Sequence, residues 1–290
     1  MDGASPAKLP ALLIGVALAS AVGSGAAVML LDRSSSSFSL RGQEQPLSPS
    51  CNVLGIQVHG NIVATRADIP PSDTTLPADA SSTITTPNYT VSSDIEDTLR
   101  YASTDPSIKA LLIDVDSFGG GAVAGNEIAL AIRRFGRPSV AVIHEIGASS
   151  GYLAAAAADT VFASEDSSVG SIGATSSFLN QSEKNKKEGI LYEQLSSGPY
   201  KDLFSSDKPL TDAERALIMR DVKISRDNFV KMVADFRHQP VAKIDALADG
   251  STMMGKAALD NGLIDAFGGT WDAIDYLTDQ LGEPANVCWQ

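Results

Sequence analysis

Three histidines, two cysteines and an aromatic share of 6% are what this 290-residue chain has least of, and each shortage narrows its chemistry. Cys51 and Cys288 stand near the two ends of the soluble part, and there is no Cys-x-x-Cys pair or Cys/His cluster, so the chain offers no set of ligands for a structural zinc site. A disulfide between the two cysteines requires a domain outside the cytoplasm. Until that is settled, a bridge and two unrelated thiols both stay open. Positive charge is also short, with 22 Lys and Arg against 35 Asp and Glu and a net charge of −13. Such an acidic surface argues against binding a phosphate backbone as the main task. At 43% hydrophobic and 20% charged residues, the chain is not a disordered one. It is long enough for a packed core in one moderate domain or two small ones.

Charge disappears from Leu9 to Leu31, a run of 23 residues preceded by Lys8 and followed by Asp32-Arg33. At about 1.5 Å per helical residue this crosses a hydrocarbon core of about 30 Å. It is longer than a signal-peptide core of about 7–15 residues. The run therefore reads as a retained transmembrane anchor, although Ala19-Ser20-Ala21 resembles a cleavage site. Either way the rest of the chain is sent across the membrane. The expected organisation is a cytoplasmic tail at 1–8, the anchor at 9–31, a flexible tether at 32–50 rich in Ser, Gln, Gly and Pro, and a globular domain at 51–290.

Within that domain, the alternation from Asn52 to Val58 predicts a strand, and Arg66 to Thr90, crowded with Pro, Ser, Thr and Asp, predicts a long surface loop. Ser93 with Glu96 carries a capping-box signature for a helix whose apolar face is Ile95, Leu99 and Ala102. Strands follow at Ala110–Val115, Ser139–Ile143, Thr160–Ala163 and Ile190–Leu195. Helices are expected at Val123–Phe135, Gly151–Ala158 and from Thr211 to about Arg237, with shorter ones around Ile244, Lys256 and Asp272. Strands alternating with helices imply parallel βαβ units and an α/β fold.

Three segments sit where a strand hands over to a loop or helix, the edge where ligands bind in α/β sheets. Asp116-Ser117-Phe118-Gly119-Gly120-Gly121 reads either as an ordinary turn or as glycines that turn N–H groups toward an oxyanion. Gly147-Ala148-Ser149-Ser150-Gly151-Tyr152 sets a serine before a small-residue helix, as a nucleophile or as a cap. Ser197-Gly198-Pro199-Tyr200-Lys201-Asp202 holds either a solvated surface lysine or a general base whose pKa desolvation lowers. The histidines that would otherwise serve as a base, His59, His144 and His238, include none at short range after Ser149.

Together these segments resemble the signal peptide peptidase A (SppA) family, the Ser-Lys peptidases of family S49. The nucleophile motif appears as Ala148-Ser149-Ser150-Gly151-Tyr152-Leu153, followed by Ala157-Ala158-Asp159, Gly170-Ser171-Ile172-Gly173, Gly198-Pro199-Tyr200-Lys201-Asp202 and Gly262-Leu263-Ile264-Asp265-Ala266-Phe267-Gly268-Gly269, with Ser117-Phe118-Gly119-Gly120 ahead of them. The match runs in order from about Val53 to Leu281. The resemblance implies a crotonase/ClpP-like repeated βαβ superhelix with C-terminal helices over 51–290, preceded by one transmembrane helix. It implies Ser149 as nucleophile, Lys201 as general base, Ser171 orienting the lysine amine, and backbone N–H groups around Gly119, Gly120 and Ser150 holding the oxyanion. It further implies signal peptides and other apolar peptides as substrates, a homo-oligomer, and no metal, cofactor or nucleic acid.

Two positions depart from the family pattern. Phe118 replaces a proline, which bears on the oxyanion turn or a specificity pocket. Ser150 replaces a glycine, which implies strain if that position needs a glycine-only backbone, and makes Ser150 a rival nucleophile. A caseinolytic-type Ser-His-Asp arrangement needs a histidine that the segment Thr160–Thr175 lacks. An enoyl-CoA hydratase of the same fold leaves Lys201 and Ser171 without a purpose. A peptide-binding membrane scaffold without proteolytic activity is the reading from a different class.

Overall fold

The computed structural model describes residues 51–70 and 89–290. The anchor at 9–31, the tether at 32–50 and most of the loop at 66–90 lie outside the described residues. Among those described, no helix is long and apolar enough to cross a membrane.

The sheet explains where everything else sits. β1 (Val53–Val63), β3 (Ala110–Gly120), β4 (Ser139–Ala148) and β5 (Thr160–Ala163) run parallel in the order β1-β3-β4-β5. β2 (Tyr89–Val91) pairs with the end of β1, and β9 (Val287–Trp289) with its beginning. β6 (Ser168–Gly170) continues along β4 beyond β5, β7 (Thr252–Met254) pairs antiparallel to β6, and β8 (Ala266–Phe267) closes the edge beside β5. Crossovers between the central strands are α1 (Ser92–Ser103), α2 (Ala122–Phe135) and α3 (Ser150–Ala156). α4 (Ser182–Lys187) is followed by the long α5 (Asp212–Phe236), then α6 (Val241–Leu247), α7 (Gly255–Asn261) and α8 (Thr270–Leu281).

Both faces of the central strands are apolar because both are covered, as parallel sheets require. Leu54, Ile56, Val58, Leu111, Ile113, Val115, Ala141 and Ile143 face α1, α2, α3 and α5 in the larger core. Their alternates Val53, Ala110, Leu112, Val140 and Val142 pack against Ala273 and Leu277 of α8.

Several expectations hold and several shift. α2 ends at Gly136, whose φ of 69° is the left-handed conformation glycine allows. α5 begins with the expected capping box, Thr211 accepting from the Glu214 N–H while the Glu214 carboxylate accepts from Thr211. The Ser93–Glu96 box does not form. The helix starts two residues earlier, at Ser92, which is buried with its hydroxyl on Glu127 and the Ala64 carbonyl. Gly119 and Gly120 are not a turn but the last residues of β3, held in the ladder by the neighbouring β1. The expected strand Ile190–Leu195 has no partner strand, and Leu191 and Leu195 stand in solvent.

Cys51 and Cys288 are joined in a disulfide with Cα atoms 5.8 Å apart. The bridge flanks the β1–β9 ladder and the Asn286 N–H bond to the Asn52 side chain, so it ties the two ends of the described fold. A cross-link over 237 residues removes much of the freedom of the unfolded chain. The expected result of replacing both cysteines with alanine is a loss of about 2–5 kcal/mol, read as a lower urea midpoint with the slope little changed. An unchanged midpoint would show that the bridge is not formed in the folded protein.

Candidate functional site

Ser149 lies between β4 and α3 with φ 53° and ψ −126°, one of three non-glycine residues with positive φ among those described. A side chain in that conformation is strained and persists only where its surroundings enforce it. Here the enforcement is visible. The Ser149 N–H donates to the Gly170 carbonyl at 2.8 Å, and its C=O accepts from the Leu153 N–H at 3.0 Å. The sharp corner leaves Ser149 half-buried at a cavity of about 640 Å³. Gly120, Gly121, Ser150, Ser171, Asn126 and Asp249 are among its other walls.

The end of β3, Ser117 to Gly120, packs backbone against the corner. A Cβ on Gly119, whose φ is +98°, would lie 2.7 Å from the Ser149 Cβ and 2.9 Å from the Ser150 nitrogen. The Gly119 N–H is not free for an oxyanion, because it donates to Ser117 Oγ at 2.9 Å, and that hydroxyl in turn donates to the Gly60 carbonyl at 2.6 Å. The next N–H is better placed. Gly121 donates to the Ile62 carbonyl at 2.8 Å, on the β1 side. Alternation along a parallel strand then turns the N–H of Gly120 to the opposite side, that of β4 and Ser149. The N–H of Ser150 is in the first turn of α3, where helical donors have no partner within the helix.

Ser150 occupies an ordinary helical position, so the strain expected there falls instead on Ser149 and on Ser171, with φ 50°. Ser171 reaches the same cavity, but its hydroxyl donates to the Gly250 carbonyl at 2.9 Å. Lys201 is elsewhere, exposed on the loop between α4 and α5 and not among the residues lining the cavity. Its neighbour Asp202 closes that loop, accepting from Tyr192 Oη at 2.5 Å and from Ser196 Oγ. These two hydroxyls hold the Asp202 carboxyl below its ordinary range, the Ser196 bond first. Phe118 points into solvent, 78% exposed, and takes no part in the cavity.

Other motif residues prove to be architecture. Asp159 accepts from the Ser139 N–H and hydroxyl at 2.9 and 2.8 Å and so closes the β4–β5 connection. Asp265 accepts from Arg237 at 2.6 Å and from the Val161 N–H at 2.8 Å. The buried Tyr152 hydroxyl donates to the Leu263 carbonyl at 2.9 Å.

A charged cluster escaped the sequence reading. Asp114 pairs in register with Gln57 and Val142, so His59 and His144, two residues further along the flanking strands, share its face. One Asp114 oxygen lies 2.5 Å from His144 Nε2 and 3.5 Å from His59 Nε2. Among the described residues no group of His, Cys, Asp or Glu is arranged to hold a metal ion. Burial pushes the Asp114 carboxyl up, but the two imidazoles outweigh it and hold it below its ordinary value. Asp114 in turn raises His59, against burial and with help from Asp116. The His59 contribution to stability is therefore complete below its unfolded value of about 6.5 and lost as pH rises through the higher folded value. The Asp114 contribution is complete above its unfolded value of about 3.9 and lost as pH falls through the lower folded one. His59→Gln is expected to lower the melting temperature at pH 6 and to lower it less at pH 8. An equal effect at both values would show that the imidazole is unpaired.

Residues 131–282 match the model of Peptidase family S49, a stretch that holds Ser149, Ser171 and Lys201. An Enterococcus faecium protein named for signal peptide peptidase SppA is 34% identical over 182 residues, which is 62% of this chain and 53% of that protein. The serine protease SPPA of the Arabidopsis thaliana chloroplast is 30% identical over 191 residues, 65% of this chain and 28% of that one. The chain thus spans about half the length of the first of these relatives and less of the second. Among solved structures, a mutant of the membrane-bound stomatin-specific protease 1510-N aligns with 84% of this chain and 99% of its own, at 15% identity and a TM-score of 0.46.

Proposed function

Because the chain belongs to peptidase family S49, we propose that it is a serine endopeptidase, with Ser149 as nucleophile and Lys201 as general base. The observation that carries this reading is the enforced left-handed corner at Ser149, which presents its hydroxyl to a cavity beside two backbone donors. In the proposed reaction Ser149 Oγ attacks the peptide carbonyl while a neutral Lys201 Nζ takes its proton. The N–H groups of Gly120 and Ser150 hold the oxyanion of the tetrahedral intermediate. The lysine then passes the proton to the leaving amine, and water releases the acyl group by the same path. Ser171 orients the lysine amine when it arrives, releasing its bond to Gly250.

Lys201 stands outside the cavity of its own chain, which supports an assembly in which a neighbouring copy completes the site. Leu191, Leu195, Tyr200 and Phe204, all exposed on the lysine loop, suit such a contact, since large apolar side chains left in solvent together on one loop favour burial against a partner. The substrates we propose are signal peptides and other apolar peptides in extended form, which bind by strand addition. Leu153, Phe229, Ala122 and Ala248 supply apolar wall beside Ser149. Residues 9–31 would anchor the chain, with the catalytic domain outside the cytoplasm, where the Cys51–Cys288 disulfide is stable.

The test is hydrolysis of a fluorogenic apolar peptide by the full chain in detergent, wild type against Ser149→Ala. Cleavage by wild type alone supports the peptidase. Equal measurable rates from folded wild type and variant would move the nucleophile off Ser149, with Ser150 tested next, and no hydrolysis by folded wild type would return the protein to a peptide-binding scaffold.

A further inference from the structure

Ser150 is buried, 5% exposed, although a residue at the first position of a helix needs no side-chain hydroxyl. Its Oγ lies 3.3 Å from the Gly120 carbonyl and 3.3 Å from the Gly121 carbonyl, one proton shared between two acceptors. Room for it is made by α2. A Cβ on Gly125 would come within 2.6 Å of the Ser150 Cβ and 2.8 Å of its Oγ.

The bond acts on a particular peptide. The oxyanion donor proposed above, the Gly120 N–H, belongs to the peptide between Gly119 and Gly120. Two glycines in sequence would leave that peptide free to rotate. The peptide before it is fixed by the Gly119 N–H on Ser117 Oγ. The peptide after it is held on one side by the Gly121 N–H on Ile62 and on the other by Ser150 Oγ on the Gly120 carbonyl. Fixing both neighbours fixes the direction of the N–H between them.

We propose that Ser150 is a positioning residue whose hydroxyl locks the Gly120–Gly121 peptide and so aims the Gly120 N–H at the oxyanion. This rests on the peptidase reading and adds to it a role for a side chain that the family pattern replaces with glycine. The Ser150 hydroxyl is spent on the Gly120 and Gly121 carbonyls, so the lock is expected to act mainly on the transition state and little on ground-state binding.

The experiment uses the full chain as wild type, Ser149→Ala and Ser150→Ala. It measures kcat and KM on an apolar peptide, the Ki of a peptide aldehyde of the same sequence, and the melting temperature. The aldehyde forms a hemiacetal with Ser149 whose oxygen needs the same donors. Loss of a whole oxyanion donor costs about 100- to 1,000-fold in kcat. Loosening one donor should therefore cost about tenfold in kcat, with KM within about twofold. The aldehyde Ki should weaken by the same factor. The ratio of Ki to KM does not depend on the fraction of folded enzyme, so it stays informative if Ser150→Ala is less stable. An unchanged Ki/KM ratio, or a kcat equal to that of wild type, overturns the proposal. A wild type no faster than Ser149→Ala sinks the peptidase reading instead, and this one with it.

Discussion

Subunits carrying Ser149→Ala and subunits carrying Lys201→Ala are expected to be inactive apart and to regain hydrolysis when assembled together. Each substitution alone should cost about 10⁴-fold or more in kcat, the scale on which a nucleophile and its base fail. The prediction about mixing follows from geometry. Ser149 opens on a cavity lined by residues of its own chain, and Lys201 is not one of them. The lysine instead stands exposed on the same loop as the exposed Leu191, Leu195 and Phe204, a loop held in shape by Asp202. If neighbours in a closed ring exchange this loop head to tail, a site needs one intact serine and one intact lysine from different copies. Equal mixing then restores about a quarter of the sites. The measurement is peptide hydrolysis after the two variants are dissociated and reassembled, against each variant reassembled alone. No recovery in a verified mixed assembly would place the base in the same subunit as its serine. Full activity of Lys201→Ala alone would remove the lysine from the mechanism.

Gly120→Ala is the second large effect expected. The added Cβ would sit 2.1 Å from the Ile62 carbonyl oxygen and 2.7 Å from the Ile62 nitrogen, both backbone atoms of β1. A backbone neighbour in a paired strand cannot swing aside as a long side chain can, so the end of β3 must move. Overpacking of this kind costs about 1–3 kcal/mol, and the moved strand end is the one that carries the proposed oxyanion donor. The expected result is a fall in kcat of about 100- to 1,000-fold together with a lower urea midpoint. Full activity with unchanged stability would show that the donor is elsewhere in the cavity wall.

The two substitutions probe parts of the site that were legible to different degrees. Ser149 could be picked out in the sequence because it is set among small residues at a strand end, and Ser171 through the motif Gly170-Ser171-Ile172-Gly173 that the family resemblance rests on. The structure brings both to one cavity. It leaves Lys201 out of that cavity, and it bonds the hydroxyls of Ser117 and Ser150 to the glycine end of β3, contacts that no spacing along the chain announces. Asp159 and Asp265 carry motif positions as firmly as the serines do, yet their carboxylates close turns of the scaffold.

What the sequence determined by itself is the alternation of βαβ units and most of the central elements. β1, β3, β4, β5, α2 and α5 were expected close to where they stand, because each buries a continuous apolar run or a periodic face whose pattern is local. The short strands β6 to β9 were beyond it, since two or three residues hold no period, and their pairing depends on what the sheet offers as neighbour. The failure of Ile190–Leu195 to form a strand has the same origin in reverse, an apolar pattern with no edge beside it. The His59–Asp114–His144 cluster exists only through the register of three strands, each side chain two residues from its partner's level. The Cys51–Cys288 bridge exists only because β9 returns to β1. Local pattern selected the elements and the serine at the junction of β4 and α3, while the strain at that serine came from the fold. Register and packing, which join residues distant along the chain, decided which hydroxyl, carboxylate and thiol meet.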